Sequence, residues 1–489
     1  MIQSLLIIWE FILKNVSTSV LVINILLSIM VVFREKKPSS SMWAWILVIN
    51  FIPILGFFLY LILGRGLSRI RLFDLQIQKK LGMMEELKRQ QEEILLGNYP
   101  DPPIGDIDAR GLIHMTNVFE NNYYAMHSEV KLFTDGRKKF DALIEDIRNA
   151  KHHIHFQYYI FRLDDLGKEV YLELLAAQNR GVKVRILLDA WGSHEVKKKD
   201  FKELIYAGGD VVFFFPIKLL FSFRVNYRNH RKIVVVDGKI AYTGGFNVGN
   251  EYVGCSKKFG YWRDNHLRLT GEGVYSLQNR FIMDWNSQHI NEIKQPEKYF
   301  PKDECTGDLH LQIITSGPNS HEEEVRNVYL KMINIAKKEI LIQTPYYIPD
   351  DSVHEALKTA LMSGVHVRLQ IPNKPDHPFV YWATYSFAAE LLTYGAVVET
   401  YEKGFVHAKT IIIDGGIVSI GSANIDVRSF TLDFEVNTLI YNKEFAKIVR
   451  KAFYADEVDY HVLTGEEYGN RSNIIRFKES LARLISPLL

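Results

Sequence analysis

The chain contains itself twice, and this repeat constrains its fold more than any other feature. Ala150-Lys-His-His-Ile-His-Phe-Gln-Tyr-Tyr-Ile160 is echoed by Ala336-Lys-Lys-Glu-Ile-Leu-Ile-Gln-Thr-Pro-Tyr-Tyr-Ile348. Gly181-Val-Lys-Val-Arg-Ile-Leu-Leu-Asp189 is echoed by Gly364-Val-His-Val-Arg-Leu-Gln-Ile-Pro372, and His230-Arg-Lys-Ile-Val-Val-Val-Asp237 returns as His407-Ala-Lys-Thr-Ile-Ile-Ile-Asp414. The order is kept, at offsets of 186, 183 and 177 residues, so two homologous lobes are implied.

Within each lobe, β-rich runs such as Val182 to Leu188 and Ile233 to Val236 alternate with helical stretches such as Lys168 to Asn179 and Val353 to Met362. The class is α/β, with sheets flanked by helices. The apolar runs Val234 to Val236 and Ile411 to Ile413 predict central strands covered on both faces. A pseudo-two-fold arrangement then brings the repeated motifs together.

With 489 residues, 47% of them hydrophobic, the chain can bury a large core. Its 59 Lys and Arg nearly balance 57 Asp and Glu, so bulk charge dictates no nucleic-acid partner, and any anion site is local. The two cysteines, Cys255 and Cys305, form no C-x-x-C pair, which argues against a disulfide scaffold and a thiolate metal site and fits a reducing compartment.

Ahead of the repeat, Asn15 to Phe33 gives 19 residues without a charge and Pro38 to Gly64 gives 27, each long enough for a membrane span. Arg34, Glu35, Lys36 and Lys37 join them, predicting a hairpin with both outer ends on one side. Three basic residues in the loop face six outside it (Lys14, Arg65, Arg69, Arg71, Lys79 and Lys80), which puts the large remainder in the cytoplasm. The expected divisions are a hairpin over 1–70, an amphipathic helical linker over 71–105, a first lobe over 106–300 and a second over 301–489 with a C-terminal amphipathic helix. From Leu72 to Leu96 the pattern favours a helix that lies on the membrane or docks on the lobes.

On a strand, His230 and Lys232 share one face, as do His407 and Lys409, while Arg231 and Ala408 point away. Asp237 and Asp414 fall on the opposite parity and precede Gly238 and Gly415, so a tight turn is their structural role. With six residues between in both halves, each Asp is followed by Gly244-Gly245-Phe246-Asn247 or Gly421-Ser422-Ala423-Asn424, where small residues permit close approach and Asn247 and Asn424 offer amide donors. Two His, two Lys and two Asn, with no nucleotide loop and no carboxylate cage, suit a phosphodiester. Lysines offset charge on the non-bridging oxygens without a metal, one neutral His attacks phosphorus, and the other serves as acid and then base. An exchange of one ester for another requires neither ATP nor a cofactor.

A duplicated H-x-K-x4-D followed by G-G/S-x-N resembles the phospholipase D superfamily over roughly residues 110 to 460. The flanks resemble bacterial cardiolipin synthases: Ser41-Met-Trp-Ala-Trp-Ile-Leu47, Ile52-Pro-Ile-Leu-Gly-Phe-Phe-Leu-Tyr60, Tyr261-Trp-Arg-Asp264, Phe281-Ile-Met-Asp-Trp285 and Arg483-Leu-Ile-Ser-Pro-Leu-Leu489. The resemblance implies phosphatidyl transfer between two phosphatidylglycerol molecules, giving cardiolipin and glycerol, at a bacterial cytoplasmic membrane. It carries catalytic positions onto His230, Lys232, Asp237, His407, Lys409 and Asp414, with His230 as nucleophile and His407 as acid. It also implies an acid that orients a histidine, for which Glu435 and Asp264 are the candidates. The rival readings are a membrane-tethered phospholipase D, a nuclease of the same superfamily, disfavoured by the balanced charge, and a non-enzymatic scaffold, disfavoured by two intact motifs. Ethanolamine lipids or serine are alternative acceptors.

Overall fold

In this computed structural model, residues 16–34, 39–52, 55–56, 59–60, 83–119, 122–216, 227–301, 307–320, 322–374, 376–455 and 457–486 are described. Cys305, the loop residues Glu35 to Lys37, the outer basic residues used above for orientation, and Pro487 to Leu489 lie outside them.

The first lobe supplies strands β1 (Tyr124–Phe133), β2 (His153–Tyr158), β3 (Lys183–Asp189), β4 (Asp210–Phe214), β5 (Arg228–Asn229), β6 (Ile233–Val236), β7 (Ile240–Gly244), β8 (Tyr261–Arg263) and β9 (His266–Gly271). The second supplies β10 (Leu309–Ser316), β11 (Glu339–Gln343), β12 (Tyr347–Ile348), β13 (His366–Pro372), β14 (Val397–Tyr401), β15 (Gly404–Val406), β16 (Thr410–Ile413), β17 (Ile417–Gly421), β18 (Ile425–Asp426), β19 (Asp433–Tyr441) and β20 (Tyr460–Leu463).

One continuous sheet runs through both lobes in the order β4-β3-β2-β6-β7-β9-β1 and then β10-β19-β17-β16-β11-β13-β14-β20. The two halves mirror each other about the antiparallel β1–β10 pair, with β20 added at one edge. In each half the three outer strands are parallel and joined through helices, whereas the inner ones run antiparallel. The repeat in sequence is thus a repeat in topology, and the expected α/β class holds.

The short apolar strands sit where their composition requires. In β6, Val234 and Val236 join a core beneath the first lobe's helices with Phe140, Leu143 and Leu174. Ile233 and Val235 enter a second core on the other face, shared with Ile412, Val418 and Ile440 of the second lobe. Ile411 and Ile413 face a third core with Val353 and Leu357. Burying each such side chain contributes roughly 1.5–3 kcal/mol, so the face common to both lobes holds them together.

The helix Met83–Leu96 ends at Gly97, whose φ of 73° begins the turn, and its described part docks on the lobes. Leu87 and Ile94 are buried, and Gln90 accepts from Tyr124 N and donates to Tyr124 O, both at 2.8 Å.

At the N-terminus, helices Val16–Arg34 and Ser39–Phe51 pack together, with Asn24 Nδ2 donating to Ile49 O at 3.0 Å. Of the expected second span, the described helix runs to Phe51, two residues before Pro53, because proline disfavours helical backbone in the residue preceding it, and Gly56 N donates to Ile52 O at 2.6 Å across the proline; Pro53, Ile54, Phe57, Phe58 and residues 61–64 lie outside the described residues. Thirteen residues rise only about 20 Å. Among the described residues no helix is long and apolar enough to cross a membrane.

Candidate active site

Each H-x-K tripeptide occupies a break between two short strands. β5 leaves the first lobe to pair in parallel with the start of β19, and β15 leaves the second to pair in parallel with β8. The backbone of each histidine completes the exchange: His230 N donates to Phe434 O at 3.0 Å and His407 N to Arg263 O at 2.7 Å. The chain then re-enters its own sheet as β6 or β16.

The exchange carries each histidine to an acid of the opposite lobe. His230 Nδ1 lies 2.9 Å from Glu435 Oε1, and His407 Nδ1 lies 2.7 Å from Asp264 Oδ2. A carboxylate on Nδ1 fixes the proton there and presents Nε2 as a lone pair. Neither Nε2 has a hydrogen-bond partner among the described residues, and the imidazoles keep 12% and 10% of their side-chain surface open. Tyr159 stands edge-on to His230 at a centroid distance of 4.8 Å, and Trp262 packs on His407 at 5.0 Å.

Alternation survives the strand break. Lys232 Nζ donates to His230 O at 2.6 Å, and Lys409 Nζ donates to His407 O and lies 2.8 Å from His407 Nδ1. Each lysine acts electrostatically on the other lobe's histidine, so the four groups form one site. Burial lowers the Lys232 ammonium to about 8; burial and the neighbouring Lys232 charge lower Lys409 to about 7. Burial likewise pushes both imidazoles down to about 4, against the opposing pull of Glu435 and Asp264. Burial alone would raise the Glu435 carboxyl, but His230, Lys232 and Ser422 outweigh it and hold it low.

With a phosphodiester bound, whose charge raises one imidazole so that it can serve as acid, these values predict a bell-shaped kcat. It falls below about pH 4 as the attacking imidazole is protonated, and falls again above about pH 7 to 8 as the ammoniums lose their charge. Lys409→Arg is expected to carry the alkaline limb to higher pH, which a pH–rate series on both proteins measures.

The carboxylates of Asp237 and Asp414 are taken by backbone amides of the neighbouring strands. Asp237 accepts from the backbone N of Lys151, His152 and His153, and Asp414 does the same for Lys337, Lys338 and Glu339, all at 2.8–3.0 Å. Each lies five positions beyond its lysine, about 16 Å along a strand. Both take positive φ (55° and 49°) ahead of Gly238 and Gly415, as a tight D-G turn requires.

The asparagines are bonded to loop groups, Asn247 to the segment after β2 and Asn424 within its own loop. Asn247 Oδ1 accepts from Ile160 N at 3.1 Å, and Asn424 Nδ2 donates to Asp426 Oδ2 at 3.0 Å.

The glycines differ between lobes for a steric reason. A Cβ on Gly245 would stand 1.9 Å from Asp264 Oδ1, whereas the matching Ser422 donates its hydroxyl to Glu435 Oε2. Gly245→Ala is therefore expected to displace Asp264 and cut kcat on the order of 10–100-fold, while Ser422→Ala, losing one hydrogen bond, costs less than about 10-fold. Steady-state rates on the two variants decide this.

A buried network behind the site was not anticipated. Arg231 donates to Asp284 at 2.7 and 2.8 Å, to Glu435 O at 3.0 Å and to Ser316 O at 2.8 Å, and Asp284 also takes Gln157 at 2.8 Å and Arg280 at 2.9 Å. Arg231 does point away from the histidine, as parity requires, but into this network. Its one sequence signal was Asp284, a lone acid in the apolar run Phe281 to Trp285.

Two crossed histidine–acid pairs between matched halves of one sheet define a phospholipase D-like enzyme. The fold is shared with phosphatidylserine synthase of Haemophilus influenzae (TM-score 0.59, 15% identity, covering 76% of this chain and 98% of that one). Residues 143–285 and 329–456 match the family described as "Cardiolipin synthase, PLD-like domain", and residues 22–65 match "Phospholipase D-nuclease N-terminal". Cardiolipin synthase of Oceanobacillus iheyensis is 48% identical over 472 residues, 96% of this chain and 98% of that protein. The major cardiolipin synthase ClsA of Bacillus subtilis is 48% identical over 470 residues, with the same coverage. The chain belongs to the cardiolipin synthase family, whose members are phosphatidyltransferases of the phospholipase D superfamily.

Proposed function

We propose that this member of the family takes both substrates from phosphatidylglycerol and joins them through a phosphohistidine. The observation that carries the reading is the pair of histidines, each held at Nδ1 by the other lobe's acid with Nε2 open. His230 Nε2 attacks phosphorus, the bond to the head-group glycerol breaks, and His407 gives the departing oxygen its proton. The anionic phosphodiester, together with Asp264, stabilises the imidazolium that His407 needs for this step. Lys232 and Lys409 offset charge on the non-bridging oxygens. The primary hydroxyl of a second phosphatidylglycerol then yields its proton to His407 and its oxygen displaces Nε2, giving cardiolipin. Asp237 and Asp414 brace the turns that end the two motif strands.

Purified protein incubated with head-group-labelled phosphatidylglycerol alone tests the reading. Cardiolipin with free glycerol is the expected result; phosphatidic acid as sole product would make the chain a hydrolase.

The reading also sets residues 1–70 in the bacterial cytoplasmic membrane as a two-span hairpin with the lobes in the cytoplasm. The linker then covers 71–105 and the lobes 106–300 and 301–489. The uncharged stretches, their basic flanks and the match of residues 22–65 support it.

A further inference from the structure

The C-terminal helix Asn473–Ile485 is turned inside out. Its N-cap Ser472 accepts from Ile475 N, and it lies on the helix Pro378–Leu392. The residues it buries are Glu479 and Ala482, with Glu479 taken by Arg471 at 2.7 Å. Its apolar stripe faces outward instead: Ile474 is 68% exposed, Phe477 69%, Leu481 40% and Leu484 68%. These positions, spaced by three and four, form one face. Phe379, 45% exposed on the supporting helix, extends the stripe beside Trp382, over whose ring Lys478 Nζ sits at 4.7 Å.

We propose that this stripe is a monotopic membrane contact, laid into the surface of an anionic phospholipid bilayer. Its charge fits that surface: the helix carries Arg476 and Lys478, its Arg483 is paired with Glu390, and its one acid is buried and paired. The place fits as well. The supporting helix begins beside Asp376, whose carboxylate takes the Tyr346 hydroxyl, and Tyr346 interacts electrostatically with Tyr159, the ring on His230. The contact therefore lies on the elements that lead to the site, where a lipid head group must arrive. It is independent of the N-terminal hairpin and does not depend on which lipid is the acceptor.

The test uses the full chain with both cysteines changed to serine and one new cysteine carrying an environment-sensitive fluorophore. With the label at Phe477→Cys, vesicles of phosphatidylglycerol with acyl-chain-brominated lipid should quench at least about half the emission. At Met362→Cys, 66% exposed at the end of the sheet that carries the Asp414 turn, they should not. In parallel, Phe477→Asp/Leu481→Asp should lower turnover on vesicles about tenfold and leave turnover on mixed detergent micelles within about twofold. Equal quenching at both positions, or none at 477, overturns the proposal. So does shielding of the 477 label that depends on protein concentration without lipid, which would assign the stripe to a second copy.

Discussion

Replacing either His230 or His407 with alanine is expected to remove at least about three orders of magnitude of turnover, because each imidazole performs a step that no neighbour can take over. The flanking groups make this sharp. Tyr159 and Trp262 are the rings packed on them, and the acids on Nδ1 have no imidazole substitute among the described residues. The two losses should differ in kind. With His407→Ala, loss of the acid slows the first step and loss of the base blocks the second, so phosphate should collect on His230 only slowly and stay there; with His230→Ala no phosphoprotein should form. Near-normal turnover in either variant would overturn the role given to that histidine. Labelled phosphate trapped on His407 instead would reverse the two assignments.

The second large effect falls on stability. Arg231→Met is expected to destabilise the fold by about 3–5 kcal/mol, because it removes the main partner of a fully buried carboxylate, Asp284. Burial alone would raise the Asp284 carboxyl; Arg231 and Arg280 outweigh it and hold it low, so removing one of them exposes the cost of that burial. Arg231 Nε also fixes Glu435 O, so the loss should reach His230. Thermal unfolding of the full chain measures the first effect and kcat at a permissive temperature the second. Arg231→Met/Asp284→Leu should recover part of the stability, with Arg280 then the unpaired charge. An unchanged melting temperature in the single variant would show that the network contributes nothing.

Much of this was legible in the residues. The triple echo of segments gave the mirrored half-sheets, and parity placed His230 with Lys232, His407 with Lys409, and both motif aspartates elsewhere. What parity describes is one strand's two faces; it does not say which distant segment meets them. The crossing of Glu435 to His230 and Asp264 to His407 spans 205 and 143 residues and depends on β5 and β15 leaving their own sheets, for which a two- or three-residue strand carries no pattern. Arg231 was likewise read correctly in direction and not in destination. At the N-terminus, absence of charge marked Pro38 to Gly64 as one span, but a charge count is blind to Pro53, two residues before which the described helix stops.

The crossed acids have a consequence for ancestry. A half-length forebear with one sheet, one histidine and one carboxylate could not have oriented its imidazole from within itself. It would have worked only as a symmetric couple, each copy lending its acid to the other, and duplication then tied the couple into a single polypeptide. The tie should be dispensable in the test tube: a chain cut between β9 and β10 is expected to be inactive as separate halves and to regain turnover when both are folded together.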